Sequence, residues 1–132
     1  MDDNFCSIAL YLYGNSIALD EVSILLGLNP TRSRRRGDVR ITSSGSKVTQ
    51  RIGFWEYIER VVVKDISSTL VKIVGRINCG RVVGQAGIEK AELDIFVPMD
   101  SEGESVGFSM ELPSGVLCKL SGLGFDLVVT SR

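Results

Sequence analysis

The sequence predicts an α+β fold: one domain over residues 1–132, with a largely antiparallel sheet and about three helices packed mainly on one face. Three observations carry that expectation. Several segments are apolar with a period of two, and others repeat apolar residues at helical spacing. The elements run βαβ and then αββαβ, so strand pairs interrupt the strand–helix alternation that a doubly wound sheet requires. The chain has 132 residues, 44% hydrophobic and 23% charged, which suits one core of ordinary size and excludes global disorder.

Asn4 to Tyr13 is apolar on both alternating sets, Cys6, Ile8, Leu10 and Leu12 against Phe5, Ala9, Tyr11 and Tyr13, which predicts a central strand. Gly14-Asn15-Ser16 is a turn. A short helix fits Leu19 to Leu26. Val22, Leu25 and Leu26 fall at i, i+3 and i+4, Asp20 and Glu21 favour its start, and Gly27 suits the position after its end. A basic, mobile loop is expected at about 30–47, its second half rich in Ser and Gly. Val48 to Ile58 reads as a strand in which Gly53 marks a bulge or a close approach, and Val61-Val62-Val63 continues it or begins another.

Asp65 is placed to cap the clearest helix, where Ile66, Leu70, Ile73, Val74 and Ile77 form one stripe. Ala91, Leu93, Ile95 and Val97 alternate with Glu92, Asp94 and Phe96, a half-buried strand with an acidic outer face. Pro98 to Gly103 reads as a turn, and Val106, Phe108 and Met110 as the second strand of an antiparallel hairpin. Pro113 suits the first position of a third helix carrying Val116, Leu117 and Leu120. Gly122-Leu123-Gly124 stops it, and Phe125 to Thr130 is a last strand.

A net charge of −1 hides an asymmetry. Pro30 to Arg40 holds five arginines (Arg32, Arg34, Arg35, Arg36, Arg40) against Asp38, a local charge of +4. Glu89 to Glu111 holds seven acids against Lys90, a local charge of −6. Separated charge presents two unlike faces to partners, while the near-neutral whole gives no reason to expect direct nucleic-acid binding. No run reaches the roughly 18 apolar residues that span a bilayer, so no membrane association is expected. The acidic start, Met1-Asp2-Asp3-Asn4, is unlike a signal peptide, and a cytoplasmic location is the default expectation. Cys6, Cys79 and Cys118 are far apart and form no CxxC pair, which fits small apolar residues in a reducing compartment.

The chain has no histidine. That excludes Ser-His-Asp and Cys-His catalysis and removes the usual metal ligand. No metal or cofactor is expected, and the protein is not expected to be an enzyme. Glu56 with Glu59, or Glu102 with Glu104, would be needed as an acid–base pair, and no spacing singles them out. The glycines at Gly75, Gly80, Gly84 and Gly87 match no phosphate-loop pattern.

Leu-Gly-Leu-Asn-Pro-Thr-Arg-Ser at Leu26 to Ser33, the basic-Gly-Asp at Arg36 to Asp38, Gly53-Phe54-Trp55, and Leu120-Ser121-Gly122-Leu123-Gly124-Phe125-Asp126 together resemble the bacterial domain of unknown function 4279. The resemblance runs from about Phe5 to Val129. It brings no catalytic residues with it. It implies likeness in size and setting to the small immunity proteins of bacterial polymorphic toxin systems.

The candidate partner-binding residues are Arg32, Arg34, Arg35, Arg36, Asp38, Trp55, Glu92, Asp94 and Phe96. Guanidinium groups grip phosphates and carboxylates bidentately, and exposed ion pairs contribute only about 0–1 kcal/mol to stability, so the arginine cluster points to contact with something anionic. Alternatively, the cluster is a solvated loop with one internal pair to Asp38. Gly37-Asp38 has a simple turn reading beside an active one, Trp55 a core reading beside that of an interface anchor, and Glu92, Asp94 and Phe96 a solvated-face reading beside that of a patch for a basic partner. Two expectations follow. One is a non-catalytic immunity protein that binds a cognate protein toxin and occludes its active site. The alternative is a small-ligand or nucleotide-phosphate binding module that uses the Arg-rich loop.

Overall fold

The computed structural model describes residues 5–77, 79–98 and 109–131. The elements are β1 (Phe5–Gly14), α1 (Leu19–Leu26), β2 (Arg32–Arg34), β3 (Val39–Ile41), β4 (Lys47–Thr49), β5 (Gly53–Val62), α2 (Ile66–Arg76), β6 (Lys90–Val97), α3 (Ser114–Leu123) and β7 (Phe125–Ser131). A five-stranded sheet has the order β2-β5-β1-β6-β7, and β3 and β4 form a separate two-stranded ribbon. Among the described strands only the β6–β7 pair is parallel; α3 supplies the crossover between them. The fold is therefore the α+β single domain expected, with a mixed, mostly antiparallel sheet.

Period-two burial explains why β1 is central. Cys6, Ile8, Leu10 and Leu12 are buried in one cluster with Leu19, Val22 and Leu26 of α1, Leu70, Ile73 and Val74 of α2, and Val116, Leu120 and Leu123 of α3. All three helices of the described residues thus cover one face. Pairing across the sheet puts Trp55 beside Leu12, and Leu93 and Ile95 beside Leu10 and Ile8, in the same layer. Burying a large aliphatic side chain contributes about 1.5–3 kcal/mol, so this layer dominates the stability.

Two helix ends have a clear sequence cause. Gly27 (φ 66°) and Gly124 (φ 92°) take the left-handed conformation, and their backbone N–H groups donate to carbonyls of the last turns of α1 and α3. Gly53 is a close approach and not a bulge, because a Cβ there would meet Ile17 Cγ2 at 2.7 Å and the Gly14 carbonyl oxygen at 2.8 Å.

The structure corrects several expectations. Residues 30–47 hold an edge strand and half a ribbon in place of a loop. Asp38 Oδ2 accepts from the Arg35 N–H at 2.8 Å, and the Thr42 N–H donates to the Ser46 carbonyl at 2.8 Å, so turn chemistry closes both ends of β3. The strand expected over Val48 to Ile58 is broken at a corner, where Gln50 Nε2 donates to the Ile52 carbonyl at 2.9 Å. Asp65 stands at the start of α2 without a side-chain cap, since Val63–Asp65 form a 3₁₀ turn that delivers the chain. Pro113 precedes α3 by one position. Beyond Pro98, the turn expected over Pro98 to Gly103 lies outside the described residues. The hairpin partner expected over 106–110 falls partly outside them, and β6 has no free side for it because β1 and β7 occupy both.

Candidate functional site

The helix-free face of the sheet and the β3–β4 ribbon hold most of the candidate residues. Alternation sends Phe54, Glu56, Ile58 and Arg60 of β5 to the face opposite Trp55. Registers align Arg32, Glu56, Tyr11, Glu92 and Asp126 in one row across all five strands, and Arg34, Phe54, Tyr13 and Lys90 in the next. Among the described residues no helix lies on this face.

Glu56 is its centre. It is only 4% exposed, although it belongs to the open face. Arg32 Nε donates to its Oε2 at 3.0 Å, and Tyr11 stands directly opposite it on β1. Burial raises the Tyr11 pKa, and the charges of Glu56 and Asp94 raise it further. The Arg32 guanidinium also lies over the Phe54 ring, 5.2 Å from its centroid. The Tyr11 and Tyr13 rings stack at 6.4 Å.

Toward β7 the face turns acidic. Lys90 Nζ sits 3.1 Å from Glu92 Oε1, and the hydrogen bond to Glu92 raises the lysine pKa. Asp94 Oδ1 is buried and has no hydrogen-bond partner among the described residues. Burial raises the Asp94 pKa, and the neighbouring Glu92 charge adds to the effect. Glu92, Asp94 and Phe96 share this face, in the alternation read from the sequence. Glu56 and Glu59 do not form a site, because three residues along a strand puts them on opposite faces. Glu59 accepts instead from the Tyr57 hydroxyl at 2.6 Å. The other pair weighed, Glu102 with Glu104, lies outside the described residues. Among the described residues no group of His, Cys, Asp or Glu is disposed to hold a metal ion.

The second surface is the ribbon. The Gly37 N–H donates to the Gln50 carbonyl and the Gln50 N–H to the Asp38 carbonyl, both at 2.8 Å, extending the β3–β4 pairing. Arg34, Arg35, Arg36, Arg40, Lys47 and Arg51 cluster on and beside it. Among the described residues the ion pairs are Arg32–Glu56 and Lys90–Glu92, so these six cations have no carboxylate partner there. Val39 and Ile41 are 61% and 70% exposed between them. The cluster singled out in sequence is therefore divided. Arg32 belongs to the sheet face, Arg34 to its edge, and Arg35 and Arg36 to the ribbon.

Two candidates have structural jobs. Trp55 is fully buried, and its Nε1–H donates to Ser23 Oγ of α1 at 3.0 Å, so it is a core residue and no interface anchor. Asp38 closes the turn before β3. Sequence reading missed the roles of Tyr11 and Glu56. The period-two pattern of β5 was the available signal, but register was needed to show Glu56 beside Arg32 and Tyr11.

Fold and site define a small α+β protein with one helix-covered face, one polar-aromatic open face and a basic ribbon. Residues 4–131 match the family described as Domain of unknown function (DUF4279), and the chain belongs to that family. No curated protein and no solved structure matches it. Among the described residues no helix is long and apolar enough to cross a membrane.

Proposed function

We propose that this chain is a non-catalytic cytosolic immunity protein that binds a cognate bacterial toxin and occludes its active site. The observation that carries the reading is the ribbon: six cations without a carboxylate partner among the described residues, around two bare β-branched side chains. Exposed apolar groups ringed by charge are the composition of a protein-binding surface: apolar contact supplies affinity and charge supplies encounter rate. The helix-free sheet face, with Tyr11, Tyr13 and Phe54 beside Glu56 and Glu92, offers a second surface of opposite character. The kind of partner is taken from the likeness in size and setting to small toxin-immunity proteins that the family resemblance implies.

The test is co-expression with the products of the neighbouring reading frames, among which the reading requires a toxin. Cells are expected to survive with the intact protein and to die with a folded Arg35→Ala/Arg36→Ala/Arg40→Ala variant. Death with the intact protein overturns the reading. The same unpaired guanidinium groups support a second reading, binding of a small ligand or nucleotide phosphate. Saturable micromolar binding of a nucleotide at low salt, lost in Arg34→Ala/Arg35→Ala/Arg36→Ala, would favour it over the first.

A further inference from the structure

The two edges of the main sheet are unlike. β2 ends one side after three residues, two of them arginine. β7 ends the other with seven, Phe-Asp-Leu-Val-Val-Thr-Ser, in which Asp126 is the single charge and there is no proline. Natural sheets blunt their edges with short strands, inward charges or proline, because unpaired N–H and C=O groups are a template for another strand. β2 carries such a device and β7 does not.

The core layer also runs out at β7. On the helix-covered side, Leu93 and Ile95 are fully buried, and Leu127 and Val129 continue their rows one strand further. There they are 38% and 47% exposed, although α3 packs on β7. Leu117 on α3 is 41% exposed as well. An apolar row that faces the helical layer and that stays this exposed among the described residues is a core cut short.

We propose that β7 pairs antiparallel with β7 of a second copy about a two-fold axis through Val128, forming one continuous ten-stranded sheet. The strand is self-complementary in this register. Leu127 meets Val129 of the second copy, so the rows Leu10–Leu93–Leu127 and Ile8–Ile95–Val129 each continue into the other molecule. Asp126 meets Thr130 of the second copy, which keeps the two aspartates apart and puts no like charges opposite one another. Val128 meets itself. A one-residue slip would turn the apolar pair onto the wrong face. The pairing is independent of the immunity reading and leaves unoccupied the ribbon, a separate sheet inserted in the chain between β2 and β5 at the opposite edge.

The test uses the full chain. Light scattering across micromolar to millimolar concentration is expected to show a dimer that dissociates on dilution, and Leu127→Lys/Val129→Lys, folded by circular dichroism, is expected to be monomeric. With Cys79→Ser/Cys118→Ser as background, Val128→Cys is expected to form an intermolecular disulfide under mild oxidation, because facing strand residues lie at disulfide distance. Leu127→Cys in the same background is not. A protein that stays monomeric throughout overturns the proposal. So does a dimer that survives the double lysine variant, or a disulfide that forms in the Leu127→Cys variant and not in Val128→Cys.

Discussion

Glu56 shows how a single side chain can make a face polar without making it weak. Its carboxylate is nearly inaccessible to water, and the Arg32 guanidinium replaces part of the lost hydration. Removing one partner leaves a buried acceptor unsatisfied, which costs about 1–3 kcal/mol. Arg32→Ala should therefore lower the urea midpoint, and Arg32→Ala/Glu56→Gln should recover part of the loss; additive losses would deny the coupling. Asp94 behaves in the opposite sense. Its pKa in the folded chain is raised above the usual 3.8, so the folded state is penalised when the group ionises. The penalty is complete above the folded pKa and vanishes below the unfolded one. Asp94→Asn should match or exceed the parent in thermal midpoint at neutral pH, with the difference shrinking as the pH falls toward about 4. A variant less stable than the parent at pH 7 would refute this. At Trp55, Ser23→Ala removes the acceptor of the buried indole N–H, and denaturant unfolding should register a loss of about 1–3 kcal/mol.

Elements were legible where pattern and chemistry agreed. The stripe from Ile66 to Ile77 and the stop at Gly27 correspond to real boundaries because helical period and left-handed glycine each admit one local solution. Pro30-Thr31 acquires a meaning that only tertiary structure supplies. The Thr31 N–H donates to the Glu56 carbonyl at 2.7 Å, and Thr31 Oγ1 accepts from the Ile58 N–H at 2.9 Å, stitching the chain after α1 to β5. The β3–β4 ribbon was illegible because Thr42 to Ser46 has the composition of a loop, and its hydroxyl network shows only when folded. Register was hidden too, so the row from Arg32 to Asp126 could not be read from one strand at a time. Glycines separate these cases experimentally. Gly87 has φ 73°, and a Cβ there would collide with the backbone of Ser16; Gly37 has φ 92° and open space. Gly37→Ala should cost about 1 kcal/mol from left-handed strain alone, whereas Gly87→Ala should lower the melting temperature far more. Equal losses would show that the Gly87–Ser16 contact relaxes freely.

For the whole molecule, the near-zero net charge is misleading because its parts are separated. Arg34 to Arg51 carries six cations against Asp38, so this segment holds +5 and the remainder −6. Fields from exposed charges decay over about 10 Å at 0.1 M salt, so a partner approaching the ribbon responds to local charge more than to the total. The chain should therefore be retained on a cation exchanger at neutral pH and low salt, despite its net −1. Arg35→Ala/Arg36→Ala/Arg40→Ala should elute at clearly lower salt, whereas Arg60→Ala/Lys64→Ala/Lys72→Ala, which removes three cations elsewhere, should elute near the parent. If the two variants shift alike, retention follows net charge and the ribbon has no separate electrostatic identity. If they differ as expected, the ribbon is the part of the surface through which an anionic partner is first drawn in.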